Sequence, residues 1–147
     1  MNKNEQLSKY YQRCDELLLK ENLKDLLQKA KNEVEEIEVD DIDLENMILI
    51  DVRENDEFAS GVIPSNVLLT IPRGKLEFMA IKKIAEFYGQ DAHIVTYCLK
   101  GPRGSLAGYQ LKKMGFTNVK NLKGGILNWL DKGNTIHSYL GELTLAK

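Results

Sequence analysis

Cysteine and histidine are scarce in this chain, with two of each in 147 residues. Cys14 and Cys98 lie far apart and in different kinds of segment, so no disulfide framework is expected. A reducing compartment would keep both as thiols. His93 opens an apolar segment and His137 lies near the end of the chain. Neither has a partner at metal-ligand spacing, so no metal and no cofactor is expected. Long apolar runs are missing too. Nothing approaches the length of a membrane span, and residues 1–9 are polar, unlike the apolar core of a signal peptide. The expected setting is the cytoplasm, with no membrane partner. Basic excess is also absent: the formal net charge of -2 excludes a broad nucleic-acid-binding surface. There are no internal repeats and no low-complexity linkers.

What is present fits one globular domain of ordinary composition, since 43% of residues are hydrophobic and 29% charged. In the first third, Leu7, Tyr10, Tyr11, Cys14, Leu17 and Leu18 recur at helical spacing. A second stripe runs through Leu23, Leu26, Leu27, Ala30 and Val34, with Asn22 as a candidate cap between the two. The spacing predicts an N-terminal helical extension over residues 1–34. It either covers a flank of the same chain or forms a homodimer contact.

Beyond residue 35 the pattern changes. Residues 35–39 alternate as an exposed strand would, whereas residues 47–52 are almost continuously apolar, the mark of a strand buried on both faces. Residues 67–69, 93–97 and 119–122 read as further strands. Between them, residues 54–60, 75–88 and 105–114 read as helices, and a last helix follows Gly124-Gly125 and carries Trp129 as a core anchor. In the helix over 75–88, Leu76, Met79, Ala80, Ile84 and Phe87 are expected to face inward. Alternating strands and helices predict an α/β fold with a parallel sheet. The domain is expected over residues 35–133, followed by a tail over 134–147.

The chemistry concentrates in Cys98-Leu99-Lys100-Gly101-Pro102-Arg103-Gly104. Cys98 ends the strand over 93–97, where ligand sites gather in open α/β sheets. The loop after it leads into a helix, whose N-terminus favours an anion. Lys100 and Arg103 add two positive charges. A thiol is a nucleophile only as its thiolate, and such surroundings favour that form. The competing reading makes Cys98 a small buried hydrophobe.

These residues resemble a known family. Cys98-Leu99-Lys100-Gly101-Pro102-Arg103 is similar to the Cys-x-x-Gly-x-Arg active loop of rhodanese-like sulfurtransferases. Asp51-Val52-Arg53-Glu54, Glu57-Phe58 and Gly61-Val62-Ile63-Pro64 resemble two further signatures of that family. Gly115-Phe116, Asn118-Val119 and Gly124-Gly125-Ile126 with Trp129 resemble its C-terminal one. The resemblance covers residues 35–133 and keeps order and spacing. It implies a rhodanese-like sheet flanked by helices and sulfur transfer through a persulfide on Cys98. Sulfane sulfur would pass from thiosulfate or polysulfide to a thiol or cyanide.

In the roles so implied, Leu99, Lys100, Gly101, Pro102, Arg103 and Gly104 form the substrate loop. Gly101 is expected where a side chain would crowd the backbone. Arg73-Gly74-Lys75-Leu76-Glu77 is similar to a segment of polysulfide-sulfur transferases, which implies that Arg73 attracts anionic donors at the pocket mouth. A solvated arginine at a turn is the alternative. Asp51 and Arg53 are expected to brace the site, Arg53 by pairing with Glu54 or Glu57. Three positions depart from the family pattern: Val62 replaces a histidine, Pro102 offers no N–H, and Gly104 stands where serine or alanine is usual. Two other readings stay open. Cysteine-dependent phosphatases or arsenate reductases use a Cys-x5-Arg loop, one residue longer than the Cys-x4-Arg here. A non-catalytic rhodanese-like binding module is the other.

Overall fold

The computed structural model describes residues 2–16 and 19–145, the side chains of residues 13–16 excepted. Strands β1 (Glu35–Ile37), β2 (Ile48–Asp51), β3 (Val67–Thr70), β4 (Ile94–Tyr97) and β5 (Val119–Leu122) form one sheet in the order β1-β5-β4-β2-β3. Every pairing in it is parallel. The helices are α1 (Lys3–Glu16), α2 (Leu19–Glu33), α3 (Asn55–Phe58), α4 (Leu76–Ala80), α5 (Glu86–Tyr88), α6 (Pro102–Met114) and α7 (Gly125–Asp131).

Pleating divides the core between the two faces of the sheet. Ile48, Ile50 and Ile94 pack with Leu76, Ala80, Ala107 and Leu111 from α4 and α6. Leu49, Val95 and Tyr97 pack on the other face with Ile126 and Trp129 from α7. Successive residues of β2 are therefore all buried, which is why residues 47–52 need no polar alternation. β4 lies between β2 and β5, so the position that follows it, Cys98, opens from the middle of the sheet.

The N-terminal extension is two helices, and α2 packs on α6 in the same chain: Ala30 and Val34 are buried and Lys112 donates to the Glu33 carbonyl at 2.8 Å. Its outer stripe, including Leu7, Tyr10, Leu19 and Leu23, is exposed. Asn22 sits inside α2 rather than capping it, because the helix starts at Leu19. Leu17, Leu18 and the Cys14 side chain lie outside the described residues.

Phe87 departs from its expected inward position and is 74% exposed. Residues Ile81–Ala85 form a wider π-helical turn between α4 and α5. The extra residue in that turn shifts the phase of the helix, so Ile84 stays buried while Phe87 swings outward. The C-terminal tail also has structure. Strands β6 (Ile136–Ser138) and β7 (Gly141–Leu143) form a hairpin, and Val62 and His137 exchange backbone hydrogen bonds at 2.8 and 2.9 Å. No helix among the described residues is long and apolar enough to cross a membrane.

Candidate active site

Cys98 is 1% exposed and borders a cavity of about 280 Å³. Leu99, Lys100, Pro102 and Arg103 line the same cavity. The loop curls back so that the Gly101 N–H donates to Cys98 Sγ at 3.1 Å. That curl puts Gly101 at φ +132°, a backbone region open to glycine but strained for other residues. Crowding is not the reason for glycine here, since the nearest atom to an added Cβ would be 4.0 Å away.

The helix after the loop starts earlier than the sequence suggests. Pro102 is its first residue, a position where the fixed φ suits the helix and the missing N–H would have had no intrahelical partner. Arg103 consequently lies in the first turn of α6. Gly104 does not line the cavity but is buried beneath it, where a Cβ would collide with Asn121 Oδ1 and come within 3.3 Å of Tyr97 Cα. Its departure from serine or alanine is thus a packing requirement. Arg73 is not brought to the cavity either. It opens a 3-10 turn and pairs with Glu77 at 2.7 Å, one helical turn on.

Backbone contacts fix the loop from below. The Ile126 N–H donates to the Cys98 carbonyl at 2.9 Å, and the Leu127 N–H to the Leu99 carbonyl at 3.2 Å. This approach requires Gly125, at φ +64°, because a Cβ there would sit 2.6 Å from the Cys98 oxygen. The Asn121 amide reaches the loop from β5, and Thr96 Oγ1 donates to the Gly104 carbonyl at 2.8 Å.

Asp51 and Arg53 form a buried pair beside the loop, 0% and 2% exposed. Arg53 donates through Nε and Nη2 to the carboxylate at 2.7–3.1 Å, and through Nη2 to the Gly61 carbonyl at 2.6 Å. Asp51 also accepts from the Arg53 backbone N–H at 3.1 Å. Burial opposes the Arg53 charge, but the hydrogen bonds and charge of Asp51 outweigh it and hold its proton above the ordinary value. Burial likewise pushes the Tyr97 hydroxyl up, helped by the Asp51 charge, and Tyr97 accepts from the Ile63 N–H at 3.2 Å. The partner of Arg53 is therefore Asp51, not Glu54 or Glu57.

Glu57 belongs instead to Arg103. The two form a forked pair at 2.6 and 3.0 Å, and the Glu54 N–H also donates to Glu57 at 3.1 Å. The Arg103 hydrogen bond draws the Glu57 carboxyl down from its ordinary 4.5 to about 2. In return, Glu57 foremost, and Cys98 to a smaller degree, raise the Arg103 value. The sequence holds one hint of this pair, because Glu57 stands in a signature segment; nothing local connects it to Arg103, 46 residues away. Asn121 has no such hint.

Known proteins resemble this chain in sequence and in fold. The family of the rhodanese-like domain matches residues 19–132. A human thiosulfate:glutathione sulfurtransferase is 33% identical over 93 residues, covering 57% of this chain and 79% of that protein. A sulfurtransferase of Allochromatium vinosum is 33% identical over 91 residues, covering 62% and 78%. A Schizosaccharomyces pombe relative is 36% identical over 93 residues, covering 58% of this chain; the chain spans 64% of that protein's length. Among solved structures, a Rhodopseudomonas palustris protein of unknown function, described as a possible tyrosine phosphatase, superposes with a TM-score of 0.67 at 27% identity. That superposition covers 78% of this chain and 92% of that one. The chain belongs to the rhodanese-like domain family, among relatives named as sulfurtransferases.

Proposed function

We propose that the chain transfers sulfane sulfur from thiosulfate or polysulfide to a thiol or cyanide through a persulfide on Cys98. The observation that supports this most is the seat of Cys98 Sγ: a backbone N–H donates to it at 3.1 Å, and Lys100 and Arg103 line the same cavity. A backbone donor and two cations suit a sulfur anion, whether the thiolate or the persulfide made from it.

In the first half-reaction the Cys98 thiolate attacks the sulfane sulfur of thiosulfate. The S–S bond of the donor breaks, sulfite leaves with the electron pair, and the outer sulfur stays on Cys98. Lys100 neutralises the donor, Arg103 orients it, and Leu99 and Pro102 form apolar walls. In the second half-reaction the acceptor nucleophile takes the outer sulfur and Cys98 leaves as thiolate. Cytoplasmic conditions, reducing enough to keep Cys98 a thiol between turnovers, suit this cycle.

Phosphate-ester hydrolysis fits the site less well. It needs an acid to protonate the ester oxygen, whereas sulfite leaves readily as an anion. Glu57 reaches the loop but is ionised at neutral pH by its pairing with Arg103, with a pKa of about 2. The test is a paired assay on one preparation. Thiocyanate formation from thiosulfate and cyanide, with negligible hydrolysis of an aryl phosphate, is expected. Strong Cys98-dependent phosphatase activity without sulfur transfer would overturn the reading.

A further inference from the structure

The two edges of the sheet, β1 and β3, are built differently. β1 carries Glu35 and Glu36, which lie 3.9 and 4.0 Å from Lys120 and Lys31, and charge on an edge strand discourages pairing with another chain. β3 has no charged residue. The Ile71 N–H donates to the Asp51 carbonyl of β2 at 2.9 Å. Alternation along the strand then turns the N–H and C=O groups of Leu68 and Thr70 away from β2, where nothing pairs with them among the described residues. The open stretch has fixed ends: the Asn66 N–H is taken by the Leu44 carbonyl at 2.9 Å, and Pro72 has no N–H.

A cavity of about 200 Å³ lies beside this edge, between β3 and the helix that begins with α4. Small-ligand sites take roughly 300–1,000 Å³, so this space suits one side chain better than a whole small molecule. Leu69 and Met79 give it apolar walls, and Lys83 is its one charged lining residue among those described. Lys83 is exposed and has no ion-pair partner among the described residues. Met79 and Lys83 stand one helical turn apart, about 6 Å along the axis, and side chains on one face of a strand repeat every ~6.6 Å. The groove therefore matches an extended chain that presents an apolar residue and, two positions away, a carboxylate. Pairing with β3 of a second copy would instead set both copies' Lys83 along one seam with no carboxylate lining it. The groove shares no lining residue with the Cys98 cavity, so an occupant leaves Cys98 open.

We infer that β3 and the flank of α4 form a docking groove for an acidic, extended segment of a partner protein, which joins the five-stranded sheet as a further strand. Main-chain hydrogen bonds to Leu68 and Thr70 hold the segment, the cavity takes its apolar side chain, and Lys83 selects its carboxylate. This site stands independently of the sulfur-transfer reading.

The test uses the full chain and two end-capped peptides as probes, Thr-Val-Thr-Glu-Thr and Thr-Val-Thr-Lys-Thr. The glutamate peptide should shift the backbone amide resonances of Leu68 and Thr70 with half-saturation at or below about 1 mM. It should bind about fivefold tighter than the lysine peptide, the scale of one exposed ion pair. Lys83→Glu alters an exposed position, so the fold should persist while the preference reverses. No binding of either peptide, binding that ignores peptide charge, amide shifts confined to other elements, or a preference that survives Lys83→Glu would overturn the inference. A dimer of the unmodified chain in sedimentation, dissolved by Thr70→Lys, would also overturn it, because the edge would then belong to a second copy.

Discussion

The side-chain amide of Asn121 donates to the Gly101 carbonyl at 3.1 Å, tying β5 to the loop that carries Cys98. The same nitrogen donates to Ser105 Oγ at 3.0 Å, and Asn121 Oδ1 accepts from Thr96 Oγ1 at 3.2 Å. Asn121 is 1% exposed, so water cannot replace these partners. Replacing it with alanine leaves buried polar groups unpaired, at about 1–3 kcal/mol. Asn121→Ala should lower the urea midpoint with an unchanged slope and slow sulfur loading. A midpoint equal to that of the unmodified chain would show that the network contributes nothing.

Gly125 sets how closely α7 approaches the loop. A Cβ there would lie 2.5 Å from the Leu99 oxygen and 2.6 Å from the Cys98 oxygen, both backbone atoms that cannot rotate away. Gly125→Ala must displace the loop, and a shift near 1 Å costs on the order of 100-fold in rate. Gly74→Ala, with nothing within 4 Å of its added Cβ, should be nearly silent. Comparable transfer rates for the two variants would refute this role for Gly125.

Legibility in the sequence followed the range of the interactions. The strand before Cys98 could be read because β4 is buried on both faces and, Thr96 apart, its residues are apolar. The Cys98 loop could be read because its glycine, cations and nucleophile are adjacent. Glu57 and Asn121 reach the loop from 46 and 20 residues away in sequence, and their side chains carry no local sign of it. A constant helical period places Phe87 inward, and Ile81–Ala85 do not keep that period. The β6–β7 hairpin has no apolar alternation to mark it in the sequence, because every residue of β7 is exposed.

The Arg103–Glu57 pair predicts a pH signature. Its carboxyl titrates near 2 in the folded protein against an ordinary 4.5, so folding favours the ionised form. The stabilisation is complete above the ordinary value and is lost as pH falls toward 2. Glu57→Gln should therefore be less stable than the unmodified chain above about pH 5, and the gap should close by about pH 2. Both side chains are partly exposed, so added salt should narrow the gap. A gap that is constant across this range would mean the carboxyl is not depressed.

Lys100 lines the cavity with no carboxylate to engage it among the described residues. Lys100→Gln should leave unfolding unchanged and reduce thiosulfate loading roughly 10- to 100-fold, the loss of one charged contact of about 1–3 kcal/mol. Discharge by 2-mercaptoethanol, a neutral acceptor, should change less. Unaltered loading would remove Lys100 from donor recognition.

Intact-mass measurement after incubation with thiosulfate tests the central claim most directly. The account predicts one added sulfur on the unmodified chain and on Cys14→Ser, none on Cys98→Ser, and loss of the adduct when cyanide is added. An added sulfur that survives Cys98→Ser, or no adduct on a folded unmodified chain, would contradict it.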